Sequence, residues 1–300
     1  MLKNKQYYKT QIFVNVLLVL LSLAFLLPLL LLISASLTDS KIFLESGYSI
    51  IPKSFSLDSY KAVFKNPIQI LHGYKTTIFV SISVALLGTF VMCLTAFPLS
   101  RSYFPFKKVY SYFIFFPMLF SGGMIPSYIV NTQYLHLGDT YWIYILPALC
   151  STWHIIIIKT FFLGLPNEIM EAAKIDGENE FGIFIRFVLP LSKPVIATVA
   201  LMTLLGKWND WNTALIYIRN PDLYSLQYLL QRILREVDFI KQMSYNTELS
   251  MGMINIDFST VPTETIRYAM CIVAAGPALC VFPFFQKYFA KGLTVGSVKG

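Results

Sequence analysis

Residues Pro166 to Pro194 read Pro-Asn-Glu-Ile-Met-Glu-Ala-Ala-Lys-Ile-Asp-Gly-Glu-Asn-Glu-Phe-Gly-Ile-Phe-Ile-Arg-Phe-Val-Leu-Pro-Leu-Ser-Lys-Pro, between two long apolar segments. Five acids, Glu168, Glu171, Asp176, Glu178 and Glu180, face only Lys174, Arg186 and Lys193 in a chain that is 13% charged. The local chemistry spells a short helix, a turn and a second helix. Pro166 suits a helix start and Asn167 is placed to cap the free N–H groups behind it. Glu168 and Glu171 sit in the first turns, where the helix dipole favours a carboxylate. Ala172 and Ala173 offer only methyl groups, so another protein's surface can approach closely. Gly177 suits the left-handed residue that ends the helix. Beyond Glu180, Phe181, Phe184, Ile185 and Val188 recur at helical spacing up to Pro190 and predict an apolar stripe. A plain polar loop between membrane spans is the competing interpretation.

Composition decides the setting. The 300 residues are 56% hydrophobic, with a mean hydropathy of +0.60. Soluble domains are about 45–50% apolar and about 25% charged, so this is a membrane protein. Cys93, Cys150, Cys271 and Cys280 all fall in apolar runs without CxxC spacing, which predicts buried free thiols. The net charge of +8 is spread over loops and tails, as membrane topology requires, and does not mark a nucleic-acid site.

Taken outward from the acidic stretch, the uncharged runs predict an all-α protein with six spans, near 12–37, 76–100, 109–131, 141–162, 189–217 and 268–288. The first run is longer than the ~7–15 residues of a signal peptide's apolar core, so a retained span is expected. Pro52 and Pro67 interrupt the mixed segment 39–74. In span three, Ser121-Gly122-Gly123-Met124-Ile125-Pro126 weakens the helix. It predicts either a broken helix facing protein or water, or a helix end at the outer surface. An amphipathic helix is expected around Leu223 to Asp238. Six spans put both termini on one side together with the basic segment 101–108, and the positive-inside rule makes that side cytoplasmic. The acidic loop, 163–188, is then cytoplasmic too.

No catalytic constellation is visible. His72, His136 and His154 are scattered, and no GxxxxGK[ST] phosphate loop occurs, since Gly206-Lys207 is followed by Trp208. No cofactor is expected on this chain. Lys207-Trp208-Asn209-Asp210-Trp211-Asn212 lies about 14 residues past Pro194, or about 21 Å along a helix, deep in the membrane or near its outer face. Lys207 and Asp210, three apart, are expected to pair on one helix face. Trp208, Asn209, Asp210 and Trp211 form a candidate substrate pathway, because indoles stack on a sugar's apolar face and amides meet its hydroxyls. An interfacial tryptophan belt with a snorkelling lysine is the alternative.

Glu171-Ala172-Ala173, Asp176-Gly177, Leu189-Pro190-Leu191 and Pro194 resemble the EAA signature of permease subunits in bacterial ABC importers. The Trp208–Trp211 segment, Phe120 to Pro126 and the ending Gln286 to Gly300 are similar to the carbohydrate branch, oligosaccharide permeases like the smaller maltose-system permease. The resemblance runs from first span to last residue and is weakest between spans five and six. It implies the type I importer fold in a bacterial cell membrane. It also implies a second, non-identical permease, an ABC ATPase dimer holding ATP and Mg, and an extracytoplasmic sugar-binding protein. Glu171, Ala172, Ala173, Asp176 and Gly177 would form the coupling helix docked on the ATPase. Closure of the ATPases would then open the cavity outward, and hydrolysis would reset it. Lys291 to Gly300 would reach between the ATPases. An ion-coupled secondary carrier is the rival, with Asp210 its only buried acid.

Overall fold

The computed structural model describes residues 2–250 and 263–295 and, among them, is helical, with one isolated antiparallel bridge between Thr38 and Phe55. The chain divides into two compact units, Met1–Pro67 with Leu230–Gly276 and Ile68–Leu229 with Pro277–Gly300.

The first unit is built on α1, Leu2–Ser36. Its Thr10–Ser36 portion is long and apolar enough to cross a membrane, and Phe13, Leu20, Leu23 and Phe25 are all exposed, as lipid-facing residues are. The helix ends where Ser36 Oγ turns back to Ile33 O at 2.7 Å and Asp39 caps the next turn through Lys41 N at 2.9 Å. Phe43, Tyr48 and Tyr268 then pack as an edge-to-face aromatic trio, their ring centroids 5.3 to 5.9 Å apart.

The second unit carries α2 (Pro67–Ser100), α3 (Lys107–Leu119), α4 (Met124–Tyr134), α5 (Trp142–Ala148), α6 (Thr152–Leu163), α7 (Asn167–Ile175), α8 (Glu180–Leu191), α9 (Lys193–Trp208) and α10 (Asn212–Tyr217). Two longer helices follow, α11 (Leu226–Ser250) and α12 (Thr263–Val295), whose residues between Leu230 and Gly276 belong to the first unit. Helix α2 begins at Pro67, nine residues ahead of the charge-free run, because proline is tolerated at a first helical position and Lys75 is exposed. In the stretch expected to hold span three, α3 and α4 are bent by 111° across the break between Leu119 and Met124. Gly123 at the break has φ +87, a backbone open to glycine and costly to other residues. The stretch 141–162 bends by 44° between α5 and α6.

The stretch 189–217 departs furthest from a single helix. It comprises the end of α8, an 82° bend at Ser192, then α9, a break at Asn209–Trp211, and α10. The cause is local. Pro190 has no N–H, and the wide turn Phe184–Val188 just before it, closed by Leu189 N on Phe184 O, relieves the ring clash that proline makes with the preceding turn. Pro194 removes a second donor at the start of α9, so the axis turns there.

The core of this unit joins α2, α6, α7, α8 and α9 through Met92, Phe97, Ile158, Phe162, Phe184 and Val199. A second cluster packs Val80, Val84, Tyr144, Ile145, Ala214 and Ile218. The cysteines depart from the expected burial. Cys93 is buried, but Cys150 and Cys280 are exposed, because apolar surface on a membrane protein need not face inward.

Candidate functional site: the coupling loop

Helix α7 starts differently from the sequence expectation. Pro166 occupies the cap position with φ −58 and ψ 125, no side chain caps the helix, and Asn167 is already its first residue. With Pro166 holding an extended ψ, the chain enters the helix one residue earlier than an Asn167 cap requires. The far end closes as a Schellman motif. Glu178 N donates to Ala173 O and Gly177 N to Lys174 O, both at 3.0 Å, with Gly177 at φ +85. Nothing lies within 4 Å of the place a Cβ would take, so backbone conformation alone requires glycine here. Asn179 then caps α8 by accepting Gly182 N at 2.7 Å.

The five acids separate into two groups. Glu178 pairs with Arg186, and Glu180 with Lys174 at 2.6 Å. Tyr103 OH also donates to Glu180 Oε2 at 2.6 Å, and Lys174 Nζ sits 3.6 Å from the Tyr103 ring centroid. The loop 101–106, α7 and α8 are thus pinned at one point. Burial alone would push the Glu180 carboxyl up, yet the bonds from Lys174 and Tyr103 hold it below its ordinary value. Lys174 is raised, first by its bond to Glu180 and then by Tyr103. Glu168, Glu171 and Asp176 make no ion pair among the described residues and are exposed.

Glu168, Glu171, Ala172 and Ile175 follow one another at i, i+3, i+4 and i+7, so they share one face of α7, and each is exposed on this chain. Ile175 is 86% exposed, a large apolar side chain at the end of α7. Nothing in the sequence singles it out, because an isoleucine in an apolar-rich chain carries no signal by itself. Ala173 is a correction. It is 3% exposed and packs with Met170 into the core, so its methyl group permits close approach of α6 and α8, not of another protein. The apolar stripe on α8 also shifts. Ile183, Phe184 and Val188 are buried while Phe181 and Ile185 are exposed, because the wide turn Phe184–Val188 breaks the 3.6-residue period.

Arg101, which opens the basic segment 101–108, is buried at 6% exposure. Its guanidinium lies 5.0 Å from the Phe97 ring centroid, Nε donates to Ser100 Oγ at 3.1 Å, and Nη1 contacts Met170 Sδ.

In the second stretch, Lys207 Nζ lies 2.7 Å from Asp210 Oδ2, with side chains 18% and 14% exposed. The pair spans the end of α9 instead of lying on one helix face. Asp210 also accepts Thr213 N at 3.1 Å and Thr213 Oγ1 at 2.7 Å, which starts α10. Asn209 is exposed, donating to Leu205 O at 2.9 Å and accepting from Gln227 at 3.3 Å. Trp211 is half-buried, while Trp208 is 4% exposed and packs inside the unit, so its face is closed to a stacking sugar. Among the described residues, no three His, Cys, Asp or Glu side chains converge as a metal site. The tail 296–300 and the side chains of 284–295, which include the candidate ATPase-reaching segment, lie outside the described residues.

Bent apolar helices, with others long enough to cross a membrane, around a pinned, acid-bearing loop describe a membrane-spanning subunit. The chain belongs to the family of binding-protein-dependent transport system inner membrane components, matched over residues 5–295. Protein LplC of Bacillus subtilis (strain 168) is 41% identical over 278 residues, covering 92% of this chain and 90% of that protein. The polygalacturonan/rhamnogalacturonan transport system permease protein YtcP of the same organism is 37% identical over 283 residues, covering 94% and 96%. A chain in the crystal structure of a bacterial ABC transporter that imports the acidic polysaccharide alginate superposes with a TM-score of 0.77 at 25% identity, covering 94% of this chain and 97% of that one. The chain is therefore an ABC importer permease and not an enzyme. ATP hydrolysis belongs to a separate subunit, which displaces the self-contained carrier.

Proposed function

We propose that this chain is one of two non-identical permeases in a bacterial importer of a sugar or oligosaccharide, served by an ABC ATPase dimer and an extracytoplasmic sugar-binding protein. The similar proteins named for polygalacturonan/rhamnogalacturonan and for alginate support the substrate class. The observation that carries the coupling role is the exposed face of α7, with Glu168 and Glu171 toward its start and Ile175 at its end, opposite a buried Met170–Ala173 face. Glu171 meets a cation on the ATPase, Ala172 allows close approach, Ile175 enters an apolar recess, and Gly177 fixes the turn beneath Asp176. ATP and Mg are held by the ATPase subunits.

Closure of the ATPases displaces α7, and the buried side of the loop transmits that motion. Met170 and Ala173 bear on Phe162 and Phe184 in one close-packed core, and packed interiors shift as units. The motion reaches α9 through Val188 and Val199 and arrives at the Lys207–Asp210 break. There exposed Asn209, with Asp210 and Trp211, meets the sugar, and Trp208 supports them from beneath.

The experiment is to extract the tagged complex gently from its native membrane and determine its intact mass. A particle with a second permease and two ATPase copies, taking up oligosaccharide when its binding protein and internal ATP are supplied, is expected. A lone chain or homodimer that still transports overturns the proposal.

A further inference from the structure

Two cavities adjoin at the end of α2 and share Arg101 and Tyr103. One, of about 360 Å³, is polar, with Ser100, Ser102, Lys107 and Asn167 on its walls. The other, of about 340 Å³, is an apolar slot formed by Leu94, Phe97, Pro98, Phe104, Phe181 and Phe184. The polar cavity carries Arg101, Lys107 and Lys174 against Glu171, and Lys174 is engaged by Glu180, so positive charge is left over. Arg101 is the unusual member. It is buried, and among the described residues it makes no ion pair and its Nη2 has no hydrogen-bond partner. Glu180 acts on it only through space and is already bonded to Lys174 and Tyr103, so a buried guanidinium N–H is left without an acceptor, which is costly and marks a place for one. Lys107 Nζ reaches the same point, donating to Arg101 O at 3.0 Å.

We propose that these joined cavities bind one anionic phospholipid of the cytoplasmic leaflet, its phosphate against Lys107 and Arg101 and an acyl chain in the slot between Phe97 and Phe181. A carboxylate from a partner protein would neutralise the polar cavity but leave the apolar slot empty, whereas a lipid fills both. The position fits as well, since the segment 101–108 lies at the cytoplasmic ends of α2 and α3, where anionic headgroups gather against basic residues. Glu171 on the polar cavity and Glu180 on the slot belong to the coupling loop, so a lipid seated here would brace that loop against the membrane. The inference rests on the cytoplasmic placement of the loop and not on the identity of the transported solute.

The test uses the complete complex, ATPase subunits included, in phosphatidylcholine nanodiscs carrying a trace of phosphatidylglycerol with a photoreactive acyl chain. Adducts are expected on peptides containing Leu94 to Phe104 and Phe181 to Phe184, and unlabelled phosphatidylglycerol should compete them away. Lys107→Gln should cut labelling about fivefold, the worth of one lysine near an anionic headgroup. Arg101→Gln should cut it further, and if that variant fails to assemble, Lys107→Gln carries the test. Equal labelling by a phosphatidylcholine probe, or adducts spread evenly over all spans, would overturn the proposal. Labelling that appears only after the ATPase is stripped away would overturn it too, by showing that a protein side chain fills the site. Labelling does not depend on uptake, so an error in the sugar assignment would leave this result standing.

Discussion

Lys174 Nζ lies 2.6 Å from Glu180 Oε1, bridging α7 to α8 across the Gly177 turn and beneath the Tyr103 ring. The pair is half exposed, so its Coulomb contribution to stability is small, below about 1 kcal/mol. Its importance is positional, because it fixes the angle at which α7 leaves the core.

The pH dependence of this link follows from its two partners. Glu180 is held below its ordinary 4.5, so its stabilisation is present above that value and is lost as pH falls through the lowered one. Lys174 is raised above 10.5, so its stabilisation is full below that value and is lost only as pH rises beyond the raised one. Amide exchange of residues 174–182, corrected for its intrinsic rate, should therefore be level through the neutral range and rise in acid, and again only in strong alkali above the raised Lys174 value. Glu180→Gln should raise exchange at neutral pH and remove the acid step. A step near neutrality in the parent protein would contradict this.

Gly177→Ala should cost about 1–2 kcal/mol of local stability, because φ +85 is left-handed although the space is open. Gly177→Pro should do more, since proline cannot take that φ and loses the bond to Lys174 O. In reconstituted complexes, ATP hydrolysis should persist while uptake per ATP falls, steeply for proline and mildly for alanine. Unchanged coupling in Gly177→Pro would remove the turn from the mechanism.

The two alanines should separate cleanly. Ala172→Arg should leave an inserted, folded permease that fails to couple, because the new side chain projects from the exposed face of α7. Ala173→Arg should prevent folding, because it forces a charge beside Met170 and Phe184. Permease abundance in membranes and ATPase activity measure the two effects. Equal phenotypes would mean that α7 is rotated from the orientation described.

Much of this loop was legible in the residues. Gly177 is the one position where a left-handed turn is needed, and the acids crowd where an exposed helix start favours them. Which alanine faces inward was not, because two adjacent methyl groups look alike until Met170 and Phe162 supply the packing. Lys207 and Asp210 pair as their spacing suggested, but around a helix end, since Asp210 is also needed to start α10 through Thr213. The bends at Gly123 and Ser192 were only partly readable. Glycine and proline mark where a helix can yield, while the 111° and 82° angles depend on what packs against each arm. Arg101 misled because loop arginines are usually solvated, and only the Phe97 ring beneath it reveals burial.

At the α9 break, Asn209→Ala should lower oligosaccharide uptake with assembly intact, since the amide is exposed. Trp208→Ala should instead destabilise the complex by about 3–5 kcal/mol, as emptying a large core site does. Thermal unfolding and uptake kinetics distinguish the two. Normal uptake in Asn209→Ala would remove that residue from the pathway.

Docking of the exposed face of α7 on the ATPase is the step on which the proposed coupling depends. A photoreactive phenylalanine analogue at Ile175, 86% exposed, should form an adduct with the ATPase subunit in the assembled complex, and the yield should change with nucleotide. The same group at Tyr112, exposed on α3, should label lipid or permease but not the ATPase. Absence of an ATPase adduct from Ile175 in a complex that hydrolyses ATP and transports would contradict the account.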